Sequence, residues 1–246
     1  MNLRGKTALV TGAAHRLGAV AAEALAAGGC SIVLHYHSSE HEAMQTARRI
    51  EAAGGELYLV RQDLEQPEAA EELTEKILDL GVSPDILINS AGSYPRTDFT
   101  GMRWSDLESA LKLNSFAPFS LSRAFSRLPR AACIVNVLDA RMVDYDRHHL
   151  AYHLSKRLLN DLTRVLSCEL APDIRVNGVA PGIILPDRPD DPVLIEKYRQ
   201  ATLLKRIGTP EEYVQTLLFL ITNEFITGQV IFVDGGRHLH GRFYGS

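Results

Sequence analysis

Tyr152 and Lys156 lie four residues apart in a stretch, 149–170, whose apolar spacing predicts a helix, so both side chains share one face. A lysine ammonium beside a phenol favours the phenolate, which would bring Tyr152 down from its ordinary value near about 10 and make it a usable proton donor near neutral pH. Hydride transfer needs such a donor. Asn114 falls in an earlier helical stretch, 104–127, where it either orients a water that reprotonates the donor or is a solvated helix asparagine. Asp139, thirteen residues before Tyr152, follows the apolar run 133–137. Ionised, it would repel the oxyanion that develops when a ketone is reduced. It suits a nitrogen heterocycle better, because a carboxylate can accept N–H bonds or share a proton with Tyr152 and a ring nitrogen.

A second group of residues has the chemistry of a phosphate site. A β-like run, 6–11, leads into Gly12, Ala13, Ala14, His15, Arg16, Leu17 and Gly18. Gly12 permits a tight turn, Gly18 permits close packing of helix on sheet, and the free N–H groups at the helix start attract a pyrophosphate. Any strand-to-helix connection can use a glycine turn, so the pattern gains meaning from standing in the first such unit. Where an NAD site presents a carboxylate to the ribose hydroxyls, this chain has His35, Tyr36, His37, Ser38 and Ser39, none acidic. Hydroxyls and imidazoles there can bond a 2′-phosphate, with Arg16 in reach of it or of the pyrophosphate, which favours NADP over NAD. Otherwise His35 and His37 finish a strand and cap the next helix. Asp63, with Leu64 beside it, either accepts from an adenine amino group or is an ordinary turn aspartate. Asn89, Ser90, Ala91 and Gly92 supply small residues where backbone must pass close to a ribose.

The elements that would position these groups alternate between short apolar runs and longer amphipathic ones, the pattern of βαβ units around a parallel sheet. Strands are predicted at 7–10, 31–35, 57–61, 86–89, 133–137, 175–179 and 230–233. Helices are predicted at 18–27, 40–53, 67–80, 104–127, 149–170 and 210–220, with Pro67 and Pro210 in first turns. Residues 181–192, with four prolines and little periodicity, read as a mobile loop after the sixth strand and a lid candidate. The fold class is therefore α/β: a single-domain, doubly wound Rossmann fold over 1–246, mainly a seven-stranded parallel sheet with helices on both faces.

Composition narrows the functions. The 246 residues are 46% hydrophobic and 23% charged, enough for one substantial core, and the formal charge of -4 provides no field for a polyanion such as nucleic acid. The first eleven residues lack a signal-peptide pattern, and no apolar run approaches the roughly 18 residues of a membrane span, so a cytoplasmic protein is expected. Cys30, Cys133 and Cys168 lack disulfide or zinc-ligand spacing and are expected to be buried small hydrophobes, with no metal site.

Together these residues resemble the short-chain dehydrogenase/reductase family over nearly the whole chain. Six landmarks occur in order: the turn from Thr11 to Gly18, Asp63, the segment from Asn89 to Gly92, Asn114, Tyr152 with Lys156, and Pro181 with Gly182. The resemblance implies that Tyr152 is the acid, that Lys156 binds the nicotinamide ribose and tunes Tyr152, that Asn114 holds a relay water, and that Pro181 and Gly182 line the nicotinamide. Asp234, Gly235 and Gly236 match a common terminal turn. Asp139 departs from the family at large, which places a serine there to bind a substrate carbonyl.

That departure is similar to the pteridine reductase branch, including its bacterial dihydropteridine and dihydrofolate reductase relatives. In that branch Arg16, in place of the family's usual middle glycine, would contact cofactor and pterin, and Tyr94 would sandwich the flat pterin against the nicotinamide. Ser38 stands where parasite enzymes often carry an arginine, and Gly92 where they carry a pterin-contacting serine. The implied function is NADPH-dependent reduction of a dihydropterin or dihydrofolate to its tetrahydro form, by a homotetramer. Two alternatives are a ketone or 3-oxoacyl-thioester reductase and a catalytically silent NADP-binding regulator.

Overall fold

The computed structural model describes residues 1–239. Seven strands, β1 (Thr7–Val10), β2 (Ser31–Tyr36), β3 (Leu57–Arg61), β4 (Ile86–Asn89), β5 (Cys133–Val137), β6 (Arg175–Pro181) and β7 (Val230–Val233), form one parallel sheet in the order β3-β2-β1-β4-β5-β6-β7. Residues alternate faces along each strand. Ala8, Val10, Ile86 and Ile88 therefore join one core with α1 (Arg16–Ala27), α2 (Glu40–Ala52) and α8 (Pro210–Thr222). Leu9, Leu87 and Ile134 join the opposite core with α3 (Ala69–Asp79), α5 (Ala117–Phe125) and α6 (Leu150–Glu169). Both faces are covered, which is why the strands read as nearly continuous apolar runs.

Chain order reverses between β1 and β4, and the ends of those two strands carry the glycine turn and the segment 89–92. A crevice at such a switch point is where this architecture takes ligands.

Four local expectations are corrected. The stretch 104–127 is not one helix but α4 (Trp104–Leu111), a π-helical turn (Lys112–Phe116) and α5. Pro118 has no N–H to offer the carbonyl of Asn114, and the wider turn, closed by Ala117 N–H on the carbonyl of Lys112, absorbs that loss. Pro67 lies in the turn before α3 rather than inside it. The lid candidate gives up its two ends, since Pro181 closes β6 and Pro192 opens a further helix, α7 (Pro192–Gln200). Asp191 caps α7 through its carboxylate and the N–H of Leu194 at 3.0 Å. Because α7 buries no residue, it has no apolar stripe to announce it. Cys30 and Cys133 are buried as expected, but Cys168 is exposed.

Candidate functional site

At the glycine turn the close approaches are backbone on backbone. A Cβ on Gly12 would stand 2.7 Å from Cα of Ala91, and one on Gly18 would stand 2.3 Å from the carbonyl oxygen of Gly12. The Thr11 hydroxyl accepts from the N–H groups of both Ser90 and Ala91 at 3.0 Å, joining the ends of β1 and β4. α1 then begins at Arg16, with His15 at its N-cap making no side-chain capping bond and with no acidic residue in the first turn. Its leading N–H groups and positive dipole end are thus left to an external anion.

The neighbouring cleft is lined by Gly12, Ala14, His15, the segment from His35 to Ser39, Asp63, Leu64, Ala91 and Gly92. Arg16, Leu17, Gly18, Asn89 and Ser90 are not part of its lining. Leu17 packs on the core, and the buried Asn89 donates to Oδ1 of Asn136 at 2.8 Å.

His35 corrects the expectation of a 2′-phosphate ligand. It is 2% exposed, its Nδ1 accepts from the N–H of Gly12 at 3.2 Å, and its Nε2 lies 3.0 Å from the carbonyl of Gln62. Burial drives its pKa down to about 4, so the ring is neutral and braces the turn. His37, Ser38 and Ser39 remain at the cleft, with His37 exposed and 3.9 Å from Asp63. Asp63 accepts from the side-chain amide of Gln66 and the N–H of Glu65, bonds that hold its carboxyl below the usual range.

Arg16 adopts φ +55°, the left-handed region that favours glycine. Its guanidinium reaches away from the cleft, to Asp187 at 2.6 Å and the carbonyl of Leu185 at 2.8 Å, tying the turn to the loop after β6.

The reacting end is built from side chains. Tyr152 donates its hydroxyl hydrogen to Oδ2 of Asp139 at 2.8 Å, while Oδ1 accepts from the N–H of Arg141 at 2.7 Å. Burial first, and then the adjacent Asp139, push the Tyr152 phenol well above its ordinary pKa. This overturns the expectation that Lys156 lowers it. Lys156 Nζ stands 5.8 Å from the Tyr152 ring centroid and donates to the carbonyl of Val137 at 2.7 Å, and burial brings its own pKa down to about 8. A carboxylate in hydrogen-bond contact outweighs an ammonium at that range.

Asn114 is fully buried and is no solvated helix residue. Its carboxamide accepts from Ser93 N–H and donates to the carbonyl of Ser93 and the hydroxyl of Ser155, all within 3.0–3.1 Å. It braces the 92–93 segment against α6. A Cβ on Gly92 would come 2.9 Å from Oδ1 of Asn114, so the two are closely packed.

Tyr94 packs edge-on against Tyr152 at 4.6 Å between centroids and stacks on His149 at 3.9 Å. Residues 12–238 match the family model described as enoyl-(acyl carrier protein) reductase, a short-chain dehydrogenase/reductase model. The chain belongs to the short-chain dehydrogenase/reductase family.

Among curated relatives of this chain, the 3-oxoacyl-[acyl-carrier-protein] reductase of Synechocystis sp. is 32% identical over 241 residues, covering 95% of this chain and 97% of that protein. Among solved structures, FolM alternative dihydrofolate reductase 1 from Brucella canis, complexed with NADP, superposes with a TM-score of 0.90 at 29% identity, covering 100% of this chain and 97% of that one. The angucycline C-6 ketoreductase LanV with bound NADP gives a TM-score of 0.88 at 29% identity, covering 97% of each chain.

Sequence reasoning missed the ring of groups around Tyr94. Asp146 pairs with Arg141 at 2.6 Å and lies 3.1 Å from Nδ1 of His149, and Tyr94 bonds to both Arg141 and Asp146. Burial raises Asp146, but the N–H of His148 and the charges of Arg141 and His149 bring it down to about 2. Arg141, Asp146 and His149 come from one short stretch after β5 and Tyr94 from the loop after β4, and no periodicity links them. Gly182 packs on the terminal turn, where a Cβ on it would come 2.7 Å from Cβ of Asp234. No helix among the described residues is long and apolar enough to cross a membrane.

Proposed function

We propose that this reductase uses NADPH to convert a dihydropterin, or the dihydropterin ring of dihydrofolate, to its tetrahydro form. The observation that carries the reading is the 2.8 Å hydrogen bond from Tyr152 to Asp139. NADPH bound at the uncapped start of α1 would supply the hydride. The cleft fits the oxidised and reduced dinucleotide, because the glycine turn admits backbone close to a pyrophosphate and no carboxylate stands between His35 and Ser39 to oppose a 2′-phosphate. NADP also occupies the solved relatives named above.

Hydride plus one proton turns a ring C=N into CH–NH. The nitrogen can take its proton before the hydride arrives, and Asp139 would stabilise that cationic C=N–H, whereas it would repel the oxyanion that develops when hydride reaches a ketone. Tyr152 holds the proton at the pocket, Asp139 fixes its direction, and the N–H of Arg141 fixes Asp139. Lys156 keeps a cation beneath the site, at the carbonyl of Val137. Tyr94 offers a flat partner for a flat ring.

The second reading, reduction of a 3-oxoacyl thioester, is favoured by the Synechocystis relative. Following NADPH oxidation with dihydrobiopterin, dihydrofolate and an acetoacetyl thioester side by side separates them. Turnover of either dihydropterin is expected, and turnover of the thioester alone would overturn the pterin reading. A homotetramer accompanies this proposal, and sedimentation of the purified protein checks it.

A further inference from the structure

The folded chain withdraws most of the cationic partners that its sequence offers a 2′-phosphate. His35 is buried and commits both ring nitrogens to the main chain at Gly12 and Gln62. Arg16 points to Asp187 and the carbonyl of Leu185. Ser38 brings a hydroxyl where an arginine would bring a charge, and His37 lies 3.9 Å from the carboxylate of Asp63. The surroundings are acidic: Asp63 and Glu65 line the cleft, and Glu40 and Glu42 stand in the first turn of α2, directly after Ser39. A phosphate dianion set down here needs a cation to offset repulsion from these carboxylates.

The sheet brings one guanidinium to this segment from another strand. β3 is an edge strand, paired in parallel with β2 so that Tyr36 stands opposite Arg61. The N–H of Gln62 donates to the carbonyl of Tyr36 at 3.0 Å, so the two chains leave the sheet side by side. Arg61, the last residue of β3, reaches across with its exposed side chain and donates Nε–H to the carbonyl of His37 at 3.1 Å. That bond fixes the guanidinium against the stretch of main chain that lines the cleft as His37, Ser38 and Ser39. It uses one of the five N–H donors of an arginine and leaves the planar end of the fork over. Among the described residues the two terminal nitrogens have no acceptor and the guanidinium has no ion-pair partner.

We infer that Arg61 is a specificity-determining residue for the cofactor, and that its terminal nitrogens bind the 2′-phosphate of NADP together with the hydroxyls of Ser38 and Ser39. Arg61 thereby does from the neighbouring strand what an arginine at position 38 would do. NADH, with a plain 2′-hydroxyl, gains no charge pairing from it. The inference concerns the cofactor alone and holds whichever substrate ring or carbonyl is reduced.

Fluorescence titration of the purified protein with NADPH and with NADH, in the absence of substrate, tests it. Wild-type protein is expected to bind NADPH at least about tenfold more tightly than NADH, with the ratio falling as salt is raised. Arg61→Gln is expected to weaken NADPH about tenfold and to leave NADH within about twofold. Equal wild-type affinities, or an unchanged NADPH affinity in Arg61→Gln, would overturn the inference. So would equal losses of both cofactors, the result if the bond to His37 only shapes the cleft. Labelling of wild-type protein with phenylglyoxal, read by peptide mass mapping, needs no variant and decides the matter even if Arg61→Gln does not fold. NADP⁺ is expected to shield Arg61 and NAD⁺ to leave it reactive, and equal labelling of Arg61 under both cofactors would overturn the assignment.

Discussion

At the glycine turn, His35 commits both ring nitrogens to the backbone of Gly12 and Gln62. At the reacting end, Asp139, Arg141 and Asp146 instead commit their polar atoms to one another's neighbourhood and to Tyr152, Tyr94 and His149. The first region is a frame whose polar side chains hold the main chain in place and leave backbone N–H groups to a ligand. The second is a set of side chains whose protons and charges are coupled. Substitution should therefore damage stability at one end and chemistry at the other.

The largest effect should come from Tyr152→Phe, which removes the proton donor. Turnover is expected to fall on the order of 10³-fold while NADPH binding, read by fluorescence titration, stays unchanged. A parallel loss of cofactor affinity would blur the division between the two ends.

Asp139→Ser replaces the carboxylate with a neutral hydroxyl, and should lower dihydropterin turnover about 10²-fold while admitting the acetoacetyl thioester as a substrate. Unchanged dihydropterin turnover would remove Asp139 from the reaction.

His35 sharpens the comparison through pH. Its folded pKa near 4 lies below the ordinary 6.5, so between those values the unfolded chain binds more protons than the folded one. The stability tied to the neutral ring is full above pH 6.5 and is lost as pH falls toward 4, by up to about 3 kcal/mol. Melting curves from pH 7.5 to 5 should fall more steeply for wild type than for His35→Gln, about as far as this one group dictates. Identical slopes would mean that the ring titrates freely.

The smallest effect is expected at Asp187→Asn. Its pair with Arg16 is exposed on both sides, so melting should shift by the equivalent of less than about 0.5 kcal/mol, with turnover unaffected.

The sheet was legible because its strands are short and β-rich and its central ones are covered on both faces, which leaves runs such as Ile86–Asn89 no other reading. The spacing of Asp139, Tyr152 and Lys156 was legible because a helix and the strand end beside it convert sequence distance into proximity. The π turn escaped notice because a one-residue slip leaves the apolar pattern of α4 and α5 almost intact. His35 was misread because a histidine type does not reveal which way a strand turns it. The ring around Asp146 was invisible because an irregular turn after β5 folds Arg141, Asp146 and His149 onto Tyr94 from the loop after β4.

The π turn also constrains length variation in this part of the chain. Removing a single residue between 112 and 116 would let the backbone relax into ordinary helical pairing, yet swing each side chain ahead of the cut by about 100° relative to those beyond it. Asn114 would then lose Ser93 and Ser155 together. Insertions and deletions should accordingly be tolerated after β6 far better than here, where one extra peptide unit sets the angular phase between two halves of a long rod.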